Sequence, residues 1–161
     1  MDPIFEKIEQ TLIQQGFTIH NRDVTRPWGG FFVIDESQAQ AFADVYFNKL
    51  SVETLKISGK LSPKILVVKA NQKLSWQYHH RRAEIWRVVS GTLWVVSSFT
   101  DIETNMALYQ PGDQITLKQG QRHRMIGKDD WAIVAEIWQH TDPNNPSNED
   151  DIVRLQDDYG R

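Results

Sequence analysis

Gln77, His79, His80, Arg81, Arg82 and Glu84 place an amide, two imidazoles, two guanidiniums and a carboxylate within eight residues. An extended chain alternates its side chains, so Gln77 and His79 share one face while Tyr78 and His80 share the other. A turn at residues 81–83 lets Glu84 open a second strand and share a face with Trp86 and Val88. Folded as a hairpin, the two strands bring Glu84 opposite Gln77 and His79. His123 is the obvious further donor from elsewhere in the chain. One carboxylate, two imidazoles and one amide, with no thiolate, suit a divalent ion. Zn²⁺ is the first choice, and Mn²⁺, Fe²⁺, Co²⁺ and Ni²⁺ accept the same donors.

Positioning these donors requires short strands, and the sequence supplies them. Apolar runs rich in β-branched and aromatic residues recur at 65–68, 74–78, 85–89, 92–96, 106–109, 114–117, 124–126 and 131–138. Turn residues separate them, such as Ser90 with Gly91, Pro111 with Gly112, and Gly120. Strands at roughly 8–12-residue spacing with such punctuation predict an all-β sandwich or barrel. Upstream, Asp2 as N-cap, Pro3 at the first helical position, Ile4, Ile8 and Leu12 on one face, and Gly16 as terminator predict a helix over residues 1–16. Strands are expected at 17–20 and 31–34. A second helix is expected after a Ser37/Gln40 capping box, with Phe42, Val45 and Tyr46 as its apolar stripe. Residues 1–50 then read as an appendage packed on a barrel made by 51–161. The last stretch is a Pro/Asn-rich loop over 141–148 and a charged segment over 149–161.

Composition narrows the function classes. A chain of 161 residues can bury a full core as one domain. A net charge of −3 provides no basic excess for neutralising phosphates, so a nucleic-acid partner is not expected. The chain has no cysteine, which excludes disulfides and thiolate metal sites. No apolar leader follows Met1 and no run of about 18 apolar residues occurs, so a cytoplasmic location without a membrane partner is expected. Six tryptophans raise the expectation that Trp28, Trp86 or Trp138 offers a ring face to a ligand.

Two linked spacings carry a resemblance. Gln77-x-His79-x4-Glu84-x6-Gly91 is followed by Gly112-x5-Lys118-x-Gly120-x2-His123-x3-Gly127. These intervals resemble the paired motifs of the cupin family, with Gln77 at the first ligand position. Within cupins, three segments resemble the type II mannose-6-phosphate isomerases. They are Arg26 to Gly29, residues 74–86, and residues 149–161 with Asp150, Asp151, Arg154 and Arg161. In those enzymes the cupin usually follows a mannose-1-phosphate guanylyltransferase domain, whose Gly-rich motif is absent from this sequence. The sequence departs from the pattern at Asn71, Lys118 and Gly127, and at Arg81, where a third histidine is usual.

The resemblance implies a double-stranded β-helix, or jelly roll, with two short N-terminal helices, and pairing into a homodimer through its sheets. It implies a sugar-phosphate substrate, mannose 6-phosphate and fructose 6-phosphate or a related heptose phosphate, interconverted by aldose–ketose isomerisation at the metal. Arg82 is the motif arginine expected to stabilise the enediolate or bind phosphate. Glu136 and Lys64 are candidates for proton transfer. Lys64, Arg154 and Arg161 are the expected phosphate anchors, and Arg81 adds positive charge beside the ligands. His80, on the opposite face, is expected to be structural. The competing readings are a non-catalytic cupin that binds a sugar phosphate or nucleotide sugar, and a cupin oxygenase, against which Gln77 argues.

Overall fold

Alternation along the central strands decides the architecture of the computed structural model, which describes residues 1–160. Strand β3 (Lys64–Val68), β5 (Arg82–Ser90) and β10 (Ala132–His140) are buried almost throughout, so each must serve two cores. Ile65, Val67, Ile85, Ala135 and Ile137 point to one side and pack with Phe5, Leu12, Phe42 and Phe47. Leu66, Val68, Trp86, Val88 and Val134 point to the other and meet Leu93, Val95 and Met125. The same inward alternation carries Lys64, Glu84, Glu136 and Trp138 along with the second set. Register pairs Lys64 with Glu136, Trp86 with Glu136, and Glu84 with Trp138.

The remaining strands are β1 (Ile19–Arg26), β2 (Gly29–Ile34), β4 (Trp76–Tyr78), β6 (Leu93–Ser98), β7 (Ala107–Tyr109), β8 (Gln114–Leu117), β9 (Arg122–Gly127) and β11 (Val153–Gln156). They form two sheets with antiparallel pairing, ordered β1-β2-β3-β10-β5-β8 and β11-β4-β9-β6-β7. The all-β expectation holds, and facing sheets leave an opening between them at one end. Residues 19–34 are themselves two strands of the larger sheet, with Phe32 in register with Ile65. Gly29, at φ +139°, permits this pairing, because a side chain there would collide with the Val67 carbonyl.

Helix α1 (Pro3–Gln14) starts as its sequence requires: the Asp2 carboxylate accepts from the Ile4 N–H at 3.0 Å. The second helix corrects the expected cap. Asp35, not Ser37, accepts the capping bond, from Ser37 N–H at 2.9 Å, and it opens a 3-10 turn over Glu36–Gln38. Gln40 is released to bind the Leu50 carbonyl and the Val52 N–H, which starts the unexpected short helix α3 (Val52–Leu55). Helix α2 (Ala39–Tyr46) therefore begins later and buries Ala39, Phe42 and Ala43, leaving Val45 49% exposed. Among the described residues, no helix is long and apolar enough to cross a membrane.

Candidate metal centre

Strands β4 and β5 do not form a hairpin. They lie in opposite sheets, so the chain crosses between the sheets at residues 79–81, and Glu84 meets His79 across the gap. His123 enters from β9, where it is in register with Gln77 on one side and Ser97 on the other. His79, Glu84 and His123 are each 2% exposed, and together they form a group that could hold a metal ion.

The polarity of this group decides what it needs. The Nδ1 of His79 lies 2.7 Å from the Asp151 carbonyl, and the Nδ1 of His123 lies 3.0 Å from the Gln121 carbonyl. A carbonyl only accepts, so both Nδ1 atoms carry the proton, and in the neutral rings both Nε2 lone pairs face inward. They lie 3.2 Å apart, and the His123 Nε2 lies 3.1 Å from Glu84 Oε1. His79 Nε2 is 3.7 Å from the same oxygen. Three lone-pair atoms this close repel; an Arg82 N–H reaches the His79 nitrogen, and the His123 nitrogen facing Glu84 still calls for positive charge between them, as a ring proton or a metal ion. Four ligands at tetrahedral Zn–N distances stand about 3.3 Å apart, so the spacing suits an ion. Outward N–H bonds to backbone carbonyls are the usual way a ligating histidine is oriented. Gln77 lines the adjoining cavity, and its carboxamide oxygen accepts from Ser75 Oγ at 2.5 Å.

Burial lowers the His79 pKa to about 3, with the Arg82 and His123 charges acting in the same direction and Glu84 opposing. Burial alone would raise the Glu84 carboxyl, but His79, Arg82 and His123 outweigh it and hold Glu84 below the usual carboxylate range.

Arg82 is not a solvent-facing turn arginine. It is 6% exposed, and its guanidinium carbon sits 3.6 Å from the Trp138 ring centroid. Nε donates to Glu84 Oε2 at 3.2 Å, Nη1 to Ser147 Oγ and the Asn148 carbonyl, and Nη2 to His79 Nε2 at 3.2 Å. Ser147 and Asn148 belong to the stretch read from sequence as a loop. Here it returns across the His79, Glu84 and His123 group, and buried Asp151 fastens it. The Asp151 carboxylate accepts from the His80 N–H, the Arg81 N–H and the Ser147 hydroxyl. His140 adds a second fastening: its Nδ1 accepts from Ser147 N–H, and its Nε2 faces Ser62 Oγ at 2.9 Å. Ser147 and His140 were not among the residues singled out in the sequence, and Asp151 was named there only as part of the resembling segment, with no role given. Only the resemblance at residues 149–161 pointed to this segment.

A cavity of about 440 Å³ opens beside this candidate donor group. Its wall includes Arg26, Trp28, Lys64, Gln77, Arg82, Glu84, Glu136, Trp138, Glu149 and Arg154. Glu136 is 5% exposed and receives the Trp138 indole N–H at 2.6 Å. Burial, aided by the negative charge of Glu84, pushes its carboxyl up to about 7, although Lys64, Arg82 and Trp138 pull the other way. Lys64 is also buried and pairs with Glu149 at 2.7 Å, so it is not ordinary surface charge. Arg154, next to Gln77 across β4·β11, is an exposed cation at the rim with no ion pair among the described residues. Arg81 is not part of the cavity wall; its guanidinium lies 3.9 Å from Asp151. Arg161 falls outside the described residues. His80 is exposed and sets its ring against Tyr78. Trp86 packs edge-on against His123, whereas Trp28 and Trp138 reach the cavity.

A family model described as "Mannose-6-phosphate isomerase C-terminal" matches residues 35–157. The alginate biosynthesis protein AlgA of Pseudomonas aeruginosa is 34% identical over 125 residues, which is 78% of this chain and 24% of that protein. The xanthan biosynthesis protein XanB of Xanthomonas campestris pv. campestris is 30% identical over 141 residues, covering 88% and 24% respectively. The chain thus spans about a quarter of the length of these relatives. Among solved structures, the capsular polysaccharide assembling protein CapF of Staphylococcus aureus superposes with a TM-score of 0.55 at 15% identity. That superposition covers 84% of this chain and 34% of CapF, and it speaks to the fold alone.

Proposed function

This chain belongs to the mannose-6-phosphate isomerase C-terminal family, with a cupin fold, and we propose that it interconverts an aldose phosphate and its ketose isomer. Mannose 6-phosphate and fructose 6-phosphate are the first pair to consider, and a heptose phosphate is the next. The observation that carries the proposal is the shared cavity: the Glu84 carboxylate, the buried carboxyl of Glu136 and the cations Arg26, Lys64 and Arg154 all line one space.

His79, Glu84 and His123, with Gln77 as fourth donor, would hold a divalent ion, Zn²⁺ first among them. Bound there, such an ion supplies Lewis acidity toward the carbonyl and hydroxyl oxygens of the substrate. The proton transfer falls to Glu136. One of its oxygens holds the Trp138 indole N–H, which leaves the other to take a proton from C2 of the aldose and return it to C1. A carboxyl near pH 7 is well matched to both directions of that transfer. Arg82 has five N–H groups, and three are engaged by Glu84, Ser147 and Asn148, while the one on His79 Nε2 would be given up when that lone pair turns to an ion. Its fixed, desolvated positive charge favours an enediolate in the cavity, and its Nη2 hydrogens are then available to the sugar. Arg154 and Arg26, with Lys64, offer the phosphate its positive partners.

The test is turnover in D₂O. Metal-loaded protein supplied with mannose 6-phosphate is expected to yield fructose 6-phosphate carrying deuterium from solvent, and EDTA is expected to stop it. Binding without turnover across a panel of hexose and heptose phosphates would instead identify a non-catalytic sugar-phosphate cupin. Turnover indifferent to EDTA would remove the metal from the mechanism.

A further inference from the structure

One cation of the cavity already carries an anion supplied by the protein. The Lys64 ammonium lies 4.5 Å from the Phe31 ring centroid and 4.4 Å from that of Trp138. Ring faces hold a cation without using its N–H donors, so the cage fixes the ammonium while leaving those donors free. Glu149 Oε1 takes one of them at 2.7 Å. The two partners differ sharply in burial, with side chains 6% and 57% exposed for Lys64 and Glu149. An exposed carboxylate loses little by turning back to water, whereas a buried ammonium is poorly tolerated without an anion. Space for that turn exists, because Glu149 also borders a second groove of about 450 Å³ along β1.

We propose that Glu149 is a specificity-determining residue: it occupies the position of the substrate's phosphoryl group on Lys64 and yields it to a phosphate dianion. A sugar without a phosphate has nothing to exchange for the carboxylate, so the pair stays closed against it. A phosphate dianion brings twice the charge to the same caged ammonium, and the exchange runs in its favour. This inference rests on the sugar-phosphate reading of the cavity, but its test does not need turnover.

Inorganic phosphate is titrated calorimetrically into the metal-loaded protein. Glu149→Gln, which keeps the side-chain shape and removes the charge, is expected to bind it about tenfold more tightly than the unmodified chain. Lys64→Gln combined with Glu149→Gln is expected to lose that gain. Asp150→Asn removes the same charge from the cavity wall without touching Lys64, and it should tighten binding by less than about threefold. Equal affinity in the unmodified chain and Glu149→Gln would overturn the proposal. So would a gain as large in Asp150→Asn, or one that survives the loss of Lys64. Inorganic phosphate is not a substrate for isomerisation, so an inactive protein could still show the exchange, and an active one could fail to.

Discussion

Glu136→Gln is expected to lower kcat by roughly 10²–10⁴-fold, the usual contribution of a placed acid–base group, while bound metal stays unchanged. Glutamine retains the acceptor that holds the Trp138 indole N–H, so ring and cavity wall should keep their arrangement. What disappears is the ability to carry a proton between C1 and C2. The pH dependence follows with a definite sign. Glu136 takes a proton only when ionised, and its carboxyl titrates at about 7. In the unmodified protein kcat/KM should therefore climb as pH rises toward neutrality and level off above it, and this acid limb should vanish in Glu136→Gln. Stability moves oppositely. A carboxyl raised from its ordinary 4.5 to about 7 favours the folded state while protonated, and that benefit is lost as pH rises through 7. Glu136→Gln, which cannot ionise, should melt no lower than the unmodified protein at pH 8. A variant within threefold of normal kcat would assign the proton transfer elsewhere.

Glu84→Ala is expected to remove both metal and turnover. Glu84 is the one anion in the donor group, and its Oε1 is shared by His79 and His123. Partners one step outside a metal shell typically cost 10–100-fold in affinity, and a ligand should cost more. Turnover should fall by about 10³-fold or more, matching several kcal/mol of lost charge stabilisation. The substitution also strands the buried Arg82, whose Nε donates to Glu84 Oε2. Loss of one partner from a buried ion pair destabilises by about 3–5 kcal/mol, so the isosteric Glu84→Gln is the companion variant. It keeps an acceptor for Arg82 Nε, so it should lose less stability than Glu84→Ala and still fail to retain the ion. Normal metal content in a folded Glu84→Gln would contradict the assigned donor set.

The grouping of His79, Glu84 and His123 was legible because strand alternation and spacing are local. Gln77 and His79 follow from a period of two, Glu84 from the start of the next strand, and His123 from a linked second motif. The sheet exchange that makes them converge was not legible, since three residues between β4 and β5 fit a hairpin as well as a crossing. Lys64 and Glu136 could be named from β-rich runs, but their burial depends on cross-strand register between residues some 70 apart. Asp151 was hardest. Its work is to accept from the backbone of His80 and Arg81 and to orient His79 through its own carbonyl. Neither task leaves a local pattern, and the surrounding acidic run reads like solvated tail. Arg81 shows the converse failure: proximity in sequence to the ligands did not place its side chain in the cavity wall, because the chain turns between sheets there.

Two inward imidazoles and a carboxylate with no thiolate nearby make metal content the decisive quantity. Elemental analysis of the purified protein, loaded with Zn²⁺ and dialysed exhaustively, should give one equivalent of divalent ion per chain. A folded chain that holds less than about a tenth of an equivalent after loading would mean that a ring proton and the Arg82 N–H, not a metal, satisfy those lone pairs.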